Sequence, residues 1–503
     1  MTYTAITIGP IIKTLSLARK PRELWSASYL FSHLMRCIIN AVPKEFEIIS
    51  PAKLEEKRYH VGLYPDRVFI KNMELIQVKE IIEHAKKTFA EKLKLKCEVD
   101  DYFKIMCVSF NSETDGDAVK TLNEKLDIME SCCTPSNNDS SQDILNLVKM
   151  TKDSPLFDVA FKSKNFPIKM LAEIASAEIS NLKPEEWNNA RVQLKMIDKN
   201  DQEESTNSNE EEAFYQQLKE QFPGQFKTYH KFICVVQADG DNMGSVVSNL
   251  PDGQLSILSK DLLNFGEGVC ESIKAFGGLP IYAGGDDLLF IAPVVGKTGH
   301  SIFDLIDEID VKYKDVRDKV ENYHLLKDEK PIKTSMSFGV SISYYKFPLY
   351  EALASARNLL FKKAKHVKGK NTVVWNLQKN GGSSFYGQCS KSDEVYTLFK
   401  KVIETTSDEN LVSAVAHKIR ANKALLGLWI DKEPEHILLR LDAFYDKTLE
   451  YASKSMAEQN YLTATKNLLL KLYNTKDIEQ ITREIYGMLR TAKYIKGEED
   501  NHE

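Results

Sequence analysis

The pattern of apolar and polar positions gives the same order of predicted elements twice along the chain. In the N-terminal part, short alternating runs predict strands, and longer runs with apolar residues three or four apart predict helices. The predicted elements are a strand at 2–8, a helix interrupted by Pro21 at 11–39, strands at 46–49, 61–63 and 68–70, a helix at 74–93 and a strand at 102–110. Apart from one additional short strand between the helices, this order is βαββαβ, the ferredoxin-like arrangement.

The βαββαβ order returns in the second half of the chain with clearer patterns. The predicted elements there are a strand at 231–238, a helix at 255–276, a hairpin at 279–293, a helix at 302–324, a strand at 334–343, a helix at 350–365 and a strand at 372–376. The sequence therefore predicts an α+β fold with two ferredoxin-like domains.

The regions between and after these two domains have helical patterns. Residues 198–212, DKNDQEESTNSNEEE, are acidic and polar without aromatic residues, which is typical of a flexible loop or linker. For a chain of 503 residues we predict four units. They are a first ferredoxin-like domain at 1–114, a mainly helical domain with the acidic loop at 115–225, a second ferredoxin-like domain at 226–385 and a C-terminal helical domain at 386–503.

Composition narrows the class of protein. Hydrophobic residues make up 43% of the chain and charged residues 28%, as in globular proteins, and the net charge of −5 gives no global basic field for nucleic acid. The eight cysteines form no CxxC pair, so a zinc ribbon is not indicated. No apolar run approaches the roughly 20 residues that span a bilayer. We therefore expect a cytoplasmic protein without a membrane partner.

The predicted hairpin carries the candidate chemistry, because Gly284-Gly285-Asp286-Asp287 stands between its strands. Adjacent carboxylates repel each other unless a cation neutralises them, and hard oxygen ligands suit Mg²⁺ or Mn²⁺. In a ferredoxin-like sheet the first and third strands are neighbours, so Asp239, at the end of the first strand, should lie beside the turn. Asp239, Asp286 and Asp287 are thus candidate ligands of two divalent ions that serve phosphoryl transfer. A solvated acidic turn is the alternative interpretation.

The loop after the first strand of the second domain reads Asp239-Gly240-Asp241-Asn242-Met243-Gly244. Gly240 and Gly244 would let main-chain N–H groups approach phosphate oxygens. Asp241 and Asn242 are equally consistent with a loop cap. Further along, Lys365 is a candidate triphosphate ligand, although lysines at a helix C-terminus are often only solvated.

Three motifs in this order give a specific resemblance. The loop at 239–244, the turn at 284–287 and Ser337-Phe338-Gly339-Val340 followed by Ala364-Lys365 resemble the palm domain of GGDEF-type cyclases and of the large polymerase-like subunit of type III CRISPR complexes. Leu288 stands where a diguanylate cyclase typically has Phe. The segments Ile8-Gly9-Pro10-Ile11 and 18–30 are similar to the opening of the Cmr-branch (type III-B) large subunit, in which a degenerate first palm precedes the catalytic one.

This resemblance implies an enzyme that makes a nucleotide second messenger, usually cyclic oligoadenylate, from ATP when the complex binds target RNA. It implies catalytic roles for Asp239, Asp286 and Asp287, with Gly240 completing the metal site. It also implies nucleotide contacts from Gly240, Asp241, Asn242, Met243, Gly244, Gly284, Gly285 and Lys365. The first palm, where Gly9 and Pro65-Asp66-Arg67 replace the acidic motifs, would help hold a second nucleotide, to which Ser28, Lys13, Arg19 and Arg22 are candidate contributors.

The implied partners are the other type III-B subunits, especially the one that binds the guide 5′ end and the small subunit, with guide and target RNA reached through the complex. The ten histidines include no His-Asp dipeptide, so we expect no HD nuclease domain. Three alternatives stay open: transfer of AMP to S-adenosylmethionine as co-substrate, a free-standing GGDEF-type cyclic-dinucleotide synthase, and a catalytically silent scaffold.

Overall fold

The first palm of the structure is a four-stranded antiparallel sheet with helices packed on both faces. The computed structural model describes residues 1–53, 61–94, 99–132, 168–189, 207–379, 381–405, 409–429, 433–473 and 478–497. In the N-terminal part the strands are β1 (Thr2–Gly9), β2 (Glu47–Ser50), β3 (Arg67–Lys71) and β4 (Lys104–Asn111), in the spatial order β2-β3-β1-β4. Strand β1 is antiparallel to both of its neighbours. This is the predicted ferredoxin-like order.

The second palm repeats this order and extends it. Its strands are β5 (Phe232–Gly240), β6 (Leu279–Gly284), β7 (Asp287–Pro293), β10 (Met336–Tyr344), β11 (Thr372–Gln378) and β12 (Ser384–Ser390), in the order β12-β11-β10-β5-β7-β6. A separate small hairpin is formed by β8 (Leu326–Lys327) and β9 (Lys330–Pro331). The predicted α+β class with two ferredoxin-like palms is confirmed, whereas β12 and the small hairpin were not predicted.

Helices cover the sheets and form most of the C-terminal region. They are α1 (Ile11–Leu15), α2 (Pro21–Ala41), α3 (Leu75–Leu93), α4 (Asp115–Cys132), α5 (Leu171–Ala175), α6 (Ala177–Leu182), α7 (Asn207–Gln221), α8 (Met243–Asn249), α9 (Gln254–Phe276), α10 (Ile302–Asn322), α11 (Leu349–Phe361), α12 (Glu394–Glu404), α13 (Glu409–Ala421), α14 (Lys423–Gly427), α15 (Pro434–Leu449), α16 (Met456–Tyr473) and α17 (Ile478–Ile495). None of the helices in these described ranges is both long and apolar enough to cross a membrane.

Three local predictions need correction. The acidic loop predicted at 198–212 is too long at its C-terminal end. Helix α7 begins at Asn207 and includes Glu210–Glu212, because glutamate is a good helix former. Residues 198–206 lie outside the described residues. Residues 61–63 do not form the predicted strand. Gly62 instead makes one isolated β-bridge, to Tyr282 of the other palm. The helix predicted at 350–365 ends at Phe361, which leaves Lys365 in a separate turn.

The two palms meet along strand β6, which is the edge of the second sheet. The amide N–H of Ala283 donates to the carbonyl of Gly62 over 2.9 Å, and the hydroxyl of Ser28 on α2 donates to the carbonyl of Ile281 over 3.0 Å. A side chain at position 62 would crowd Ser28, because a β-carbon there would stand 3.1 Å from its hydroxyl oxygen. This close approach places the start of the first palm beside the Asp286–Asp287 turn.

The C-terminal helices are anchored on the opposite edge of the second sheet. The indole N–H of Trp375 on β11 donates to the hydroxyl of Thr491 on α17 over 3.1 Å. A β-carbon at Gly487 would lie 1.9 Å from the carbonyl oxygen of Tyr386 on β12, so α17 lies directly on that strand. The helical region is therefore placed away from the contact between the palms.

Candidate active site

The acidic motifs of the second palm converge because β5 and β7 are antiparallel neighbours. Ala238 lies opposite Leu288, so Asp239 at the end of β5 and Asp287 at the start of β7 are adjacent. Asp286 reaches over the same loop: a β-carbon at Gly240 would stand 2.6 Å from its Oδ2 atom. The structure thus brings together the three acids that the sequence assigns to catalysis.

The turn that carries the acids is tight and needs its glycines. Gly284 pairs with Asp287, which leaves Gly285 and Asp286 as a two-residue turn, and Gly285 has a positive φ of 76°. A β-carbon at Gly284 would overlap the ring of Tyr282, standing 2.2 Å from its hydroxyl oxygen. The glycines thus serve backbone geometry and ring packing, which fixes the direction in which the acids project.

Burial and mutual repulsion change the charge state of this turn. Burial raises the pKa of Asp286, and the neighbouring Asp239 carboxylate raises it further. The pKa of Asp287 is raised in the same way, by burial first and then by Asp239, with which it shares a hydrogen bond. Without a cation both carboxyl groups therefore hold their protons more tightly than a free Asp does, which is the expected response of clustered acids.

Lys365 supplies a positive charge to the neighbouring loop. Its ammonium donates to the carbonyl oxygens of Asp239 and Gly240, both over 2.8 Å, and to Asp241 Oδ1 over 2.9 Å, and it also pairs with the carboxylate of Asp239. From the sequence, Lys365 is a candidate ligand of a nucleotide triphosphate. In this structure it instead lies on oxygens of the predicted metal site.

Asp241 is held inside the protein. Its side chain is fully buried, and its carboxylate accepts hydrogen bonds from the hydroxyls of Ser335 and Ser337 and from the amide N–H of Asn371, over 2.6 to 3.0 Å. Together with Lys365, these groups occupy its oxygens. The structure therefore gives Asp241 the role of shaping the loop, which matches the cap interpretation and leaves no direct path to a nucleotide.

The residues that follow begin helix α8. Asn242 has a positive φ of 64°, and its side chain donates to the carbonyl of Lys333 over 2.9 Å and accepts from Lys370 over 2.9 Å. Met243 is buried with its sulfur 3.4 Å from the hydroxyl of Tyr313. Gly244 has open space where a β-carbon would stand. Of the three, Met243 is buried, whereas Asn242 and Gly244 are exposed, and Gly244 has no side chain in the way of an approaching phosphate.

A cavity of about 200 Å³ lies between the palms and adjoins the acidic turn. Its lining includes Ser28, Asp66, Tyr282 and Asp287, together with Arg357 of α11. Burial raises the pKa of Asp66, and the charge of Asp66 in turn raises the pKa of Asp287. In the sequence, Asp66 stands where the first palm lacks an acidic pair, and nothing in the pattern of residues indicates that this carboxylate faces the second palm.

Arg19 and Arg22, which sequence analysis grouped with Ser28, line a different cleft with Tyr345 and Lys346. The start of helix α2 explains why the two arginines and Ser28 lie in different places. Pro21 starts α2, so Arg19 and Arg22 lie at its first turn, whereas Ser28 is two turns further along. The structure therefore brings Ser28 to the acidic turn and places the two arginines elsewhere.

The donor chemistry of the acidic turn fits a hard divalent cation. In the part of the chain that the structure describes, no group of three or more His, Cys, Asp or Glu side chains is already arranged to hold a metal. The ammonium of Lys365 nevertheless contacts one carboxylate and two carbonyl oxygens here. These oxygens therefore already hold a positively charged group of the protein itself. Carboxylate and carbonyl oxygens are the ligands that Mg²⁺ and Mn²⁺ prefer.

Comparison with known proteins matches both palms. Residues 232–374 match the model of the Cas10/Cmr2 second palm domain, and residues 3–94 match the model of the CRISPR-associated protein Cmr2 N-terminal region. The CRISPR system Cmr subunit Cmr2 of Pyrococcus furiosus is 34% identical over 182 residues, which are 31% of this chain and 19% of that protein. The similarity therefore spans about a fifth of the length of this curated relative.

Two solved structures share the fold. The Cmr-beta complex of type III-B bound to cognate target RNA has a chain with a TM-score of 0.55 and 12% identity, covering 89% of this chain and 78% of that one. A Csm1–Csm4 cassette in complex with one ATP has a TM-score of 0.50 and 12% identity, covering 98% of this chain and 70% of that one. Each palm thus matches a model of a Cas10/Cmr2 domain, and these matches together support a type III-B Cmr2/Cas10 subunit.

Proposed function

We propose that this chain is a metal-dependent nucleotidyltransferase that makes cyclic oligoadenylate from ATP when its type III-B complex binds target RNA. The observation that carries the proposal is the convergence of Asp239, Asp286 and Asp287 on one edge of the second sheet, beside the cavity between the palms. Carboxylates with raised pKa values in a shielded cleft are a frequent mark of a catalytic site.

Each group of the site has a distinct task in this proposal. Asp239, Asp286 and Asp287 hold two Mg²⁺ or Mn²⁺ ions, with the carbonyl of Gly240 as a further oxygen ligand. The ions, when bound, lower the pKa of an acceptor 3′-hydroxyl and offset the charge of the triphosphate. Lys365 leaves the loop and turns toward the donor triphosphate, while Asp241 keeps the loop in shape.

The reaction is a displacement at phosphorus. The 3′-oxygen of the acceptor forms a bond to the α-phosphorus of the donor ATP, the bond to the leaving group breaks, and pyrophosphate departs. The proton of the acceptor hydroxyl passes to solvent. The first palm helps to position the acceptor, since Ser28 and Tyr282 line the cavity next to Asp287.

The comparisons support an adenine nucleotide and an RNA-bound complex. One matched neighbour is in complex with one ATP, and another is bound to cognate target RNA. By analogy we propose the other type III-B subunits as partners, above all the subunit that binds the guide 5′ end and the small subunit. Guide and target RNA would then be reached through that complex.

The test uses labelled ATP and Mn²⁺ with the assembled complex, with and without target RNA. We expect oligoadenylate only with target RNA, and no product from the double variant Asp286→Ala/Asp287→Ala. Product made equally well by that variant would contradict the catalytic assignment of Asp286 and Asp287. Product made by the isolated chain without RNA would instead favour a free-standing cyclic-dinucleotide synthase.

A second acceptor, S-adenosylmethionine, is favoured by one observation. Asp66 places a carboxylate in the cavity where the acceptor would bind, close to Asp287 and Tyr282. A carboxylate suits the ammonium and sulfonium groups of S-adenosylmethionine and repels the triphosphate of ATP. Adding S-adenosylmethionine to the assay and measuring product masses separates the two acceptors: an AMP adduct would replace oligoadenylate.

A further inference from the structure

Arg357 of helix α11 is a positively charged residue of the cavity between the palms. It lines this cavity together with Gln237 of β5 and Asp287 of the acidic turn, among mostly apolar residues. Its guanidinium lies over the ring of Phe361, 5.6 Å from the ring centroid. Within the part of the chain that the structure describes, this guanidinium forms no hydrogen bond and no ion pair. Since a half-buried charge is costly without a partner, Arg357 is suited to an anion that enters the cavity.

The two acids that line the same cavity interact with other groups. Asp287 shares a hydrogen bond with Asp239. Among the charged groups, the one that acts most on Asp66 is its chain neighbour Arg67. The cavity thus holds separate negative and positive groups, and Arg357 keeps its donors for a ligand.

The packing of α11 fixes the place of Arg357 beside the second sheet. Gly339 of β10 allows the helix to lie directly on the strand, because a β-carbon there would stand 2.3 Å from the carbonyl oxygen of Ala356 and 2.5 Å from the amide nitrogen of Leu360. Arg357 and Phe361 are four residues apart, so they lie on the same side of the helix. A guanidinium held by helix packing and by a ring loses less conformational freedom when it binds a ligand.

The register of the sheet relates this helix to the acidic turn. Gly339 lies opposite Gln237 on β5, and Gln237 lies opposite Leu289 on β7. Residues paired in this way point to one face of a sheet, and Asp287 points to the same face because it is two residues from Leu289. Since Arg357 and Asp287 line one cavity on this face, a single ligand can contact both.

We propose that Arg357 is a specificity-determining residue that binds the 5′-phosphate of the acceptor nucleotide. A planar guanidinium presents its N–H donors in a fork that matches two phosphate oxygens, and a ring that stacks on its face leaves these donors free. This role rests on the proposed function, which places the acceptor in this cavity. It goes beyond that function by naming the group through which the acceptor is recognised.

Asp66 and Arg357 give the cavity opposite preferences. Asp66 favours a cationic acceptor such as S-adenosylmethionine, whereas Arg357 favours an acceptor that carries a phosphate. A phosphate at Arg357 balances a charge that has no opposite charge beside it among the described residues. Arg357 should therefore separate acceptors with a phosphate from those without one, and S-adenosylmethionine belongs to the second group.

The test supplies the assembled complex, with target RNA and Mn²⁺, with labelled 3′-deoxy-ATP as donor, which lacks a 3′-hydroxyl and so ends the reaction after one transfer. AMP and adenosine are the acceptors, since they differ by one phosphate and neither can act as donor. We expect the wild type to prefer AMP. Arg357→Gln should lose this preference by roughly ten- to a hundredfold, mostly in KM, because a charge-assisted contact is removed. Arg440→Gln, at an exposed position on α15, is the matched control and should keep it.

A binding measurement without turnover tests the same residue. Equilibrium dialysis of labelled AMP or adenosine against the metal-free full chain should show the same loss of AMP preference in Arg357→Gln. Arg357→Lys keeps the charge but not the fork, so it should keep part of the preference, and it serves if the glutamine variant does not fold.

Three results would overturn the proposal. They are a wild type that does not bind AMP more tightly than adenosine, an unchanged AMP preference in Arg357→Gln, and a loss of S-adenosylmethionine as acceptor equal to the loss of AMP. If the wild type extends neither acceptor but the dialysis shows the expected loss, the catalytic assignment fails and the phosphate contact stands. The two failures are therefore distinguishable.

Discussion

The carboxylate of Asp286 lies against the α-carbon of Gly240, with no room between them for a methyl group. A β-carbon at position 240 would stand 2.6 Å from Asp286 Oδ2 and 2.7 Å from its β-carbon. Contacts this short force one of the two loops to move. Gly240 is therefore required for the distance between the two acidic motifs as well as for the backbone of its own loop.

We expect Gly240→Ala to reduce ATP turnover by roughly 100-fold, because displacements of about 1 Å in a catalytic group cost this much. The folded state should be retained, since the turn lies at the edge of the cleft. Steady-state assays and thermal unfolding measure the two effects. The control is Gly268→Ala on α9, where the nearest atom would be 3.9 Å away. Equal activity of the two variants would contradict the geometry.

The raised pKa values predict how stability depends on pH. Because the folded-state pKa values of Asp286 and Asp287 lie above their ordinary value of 3.8, the folded protein binds more protons than the unfolded chain as pH rises through this range. Stability from this source is present at low pH and is lost as pH rises through the folded-state values. The metal-free protein should therefore gain stability when the two charges are removed.

Asp286→Asn/Asp287→Asn should raise the melting temperature of the metal-free protein at pH 8, with little change at pH 4. The gain is on the order of 1 kcal/mol for each unit by which a pKa is raised. Adding Mn²⁺ should stabilise the wild type and have no effect on the double variant. Thermal unfolding with and without Mn²⁺ at both pH values measures this. A variant less stable than the wild type at pH 8 would show that the acids are already neutralised.

Removal of the Lys365 ammonium should expose the charge that it balances. Lys365→Met leaves Asp241 fully buried without its ion pair, a change that typically costs about 3–5 kcal/mol. We expect a lower melting temperature and a larger stabilisation by Mn²⁺ than in the wild type, since the ion would take the place of the ammonium. Lys400→Met, which removes an ion pair to Asp307 between α12 and α10, is the control in which Mn²⁺ should add nothing. Equal Mn²⁺ effects in both variants would contradict this role.

Asp66 gives a separate prediction for the acceptor. Asp66→Asn should leave oligoadenylate formation from ATP within about twofold but reduce formation of an S-adenosylmethionine adduct at least tenfold, because a cationic acceptor loses an opposite charge. Product masses with both substrates present measure the ratio. Asp446→Asn on α15, an exposed position, is the control. An unchanged ratio would remove Asp66 from the acceptor site.

The sequence predicted the parts of the site that depend on neighbouring strands. The approach of Asp239 to the Asp286–Asp287 turn follows from strand order alone, and the register of Ala238 with Leu288 agrees with it. The contacts across the palms did not follow from the pattern, because they join segments far apart in sequence. Asp66 and Ser28 reach the turn only because the chain near Gly62 pairs with β6.

The environment of Lys365 and Asp241 also lay beyond the sequence. Their charges suggested ligand contacts, but the Asp241 carboxylate instead accepts hydrogen bonds from the hydroxyls of Ser335 and Ser337 and from the ammonium of Lys365. A one-dimensional pattern shows which residues are charged and does not show which charges pair. The pairing depends on strand β10 running antiparallel beside β5, opposite Asp239.

The lysine that lies on the loop of the second palm has a consequence for the order of binding. A divalent ion that enters here exchanges with an ammonium that is already bound, and the displaced ammonium needs a new anion. The triphosphate of ATP supplies one. Binding of metal and binding of nucleotide would then be thermodynamically linked through a single side chain, so each should be weak alone and strong together. In this way the site would bind its metal ions more tightly once the substrate is present.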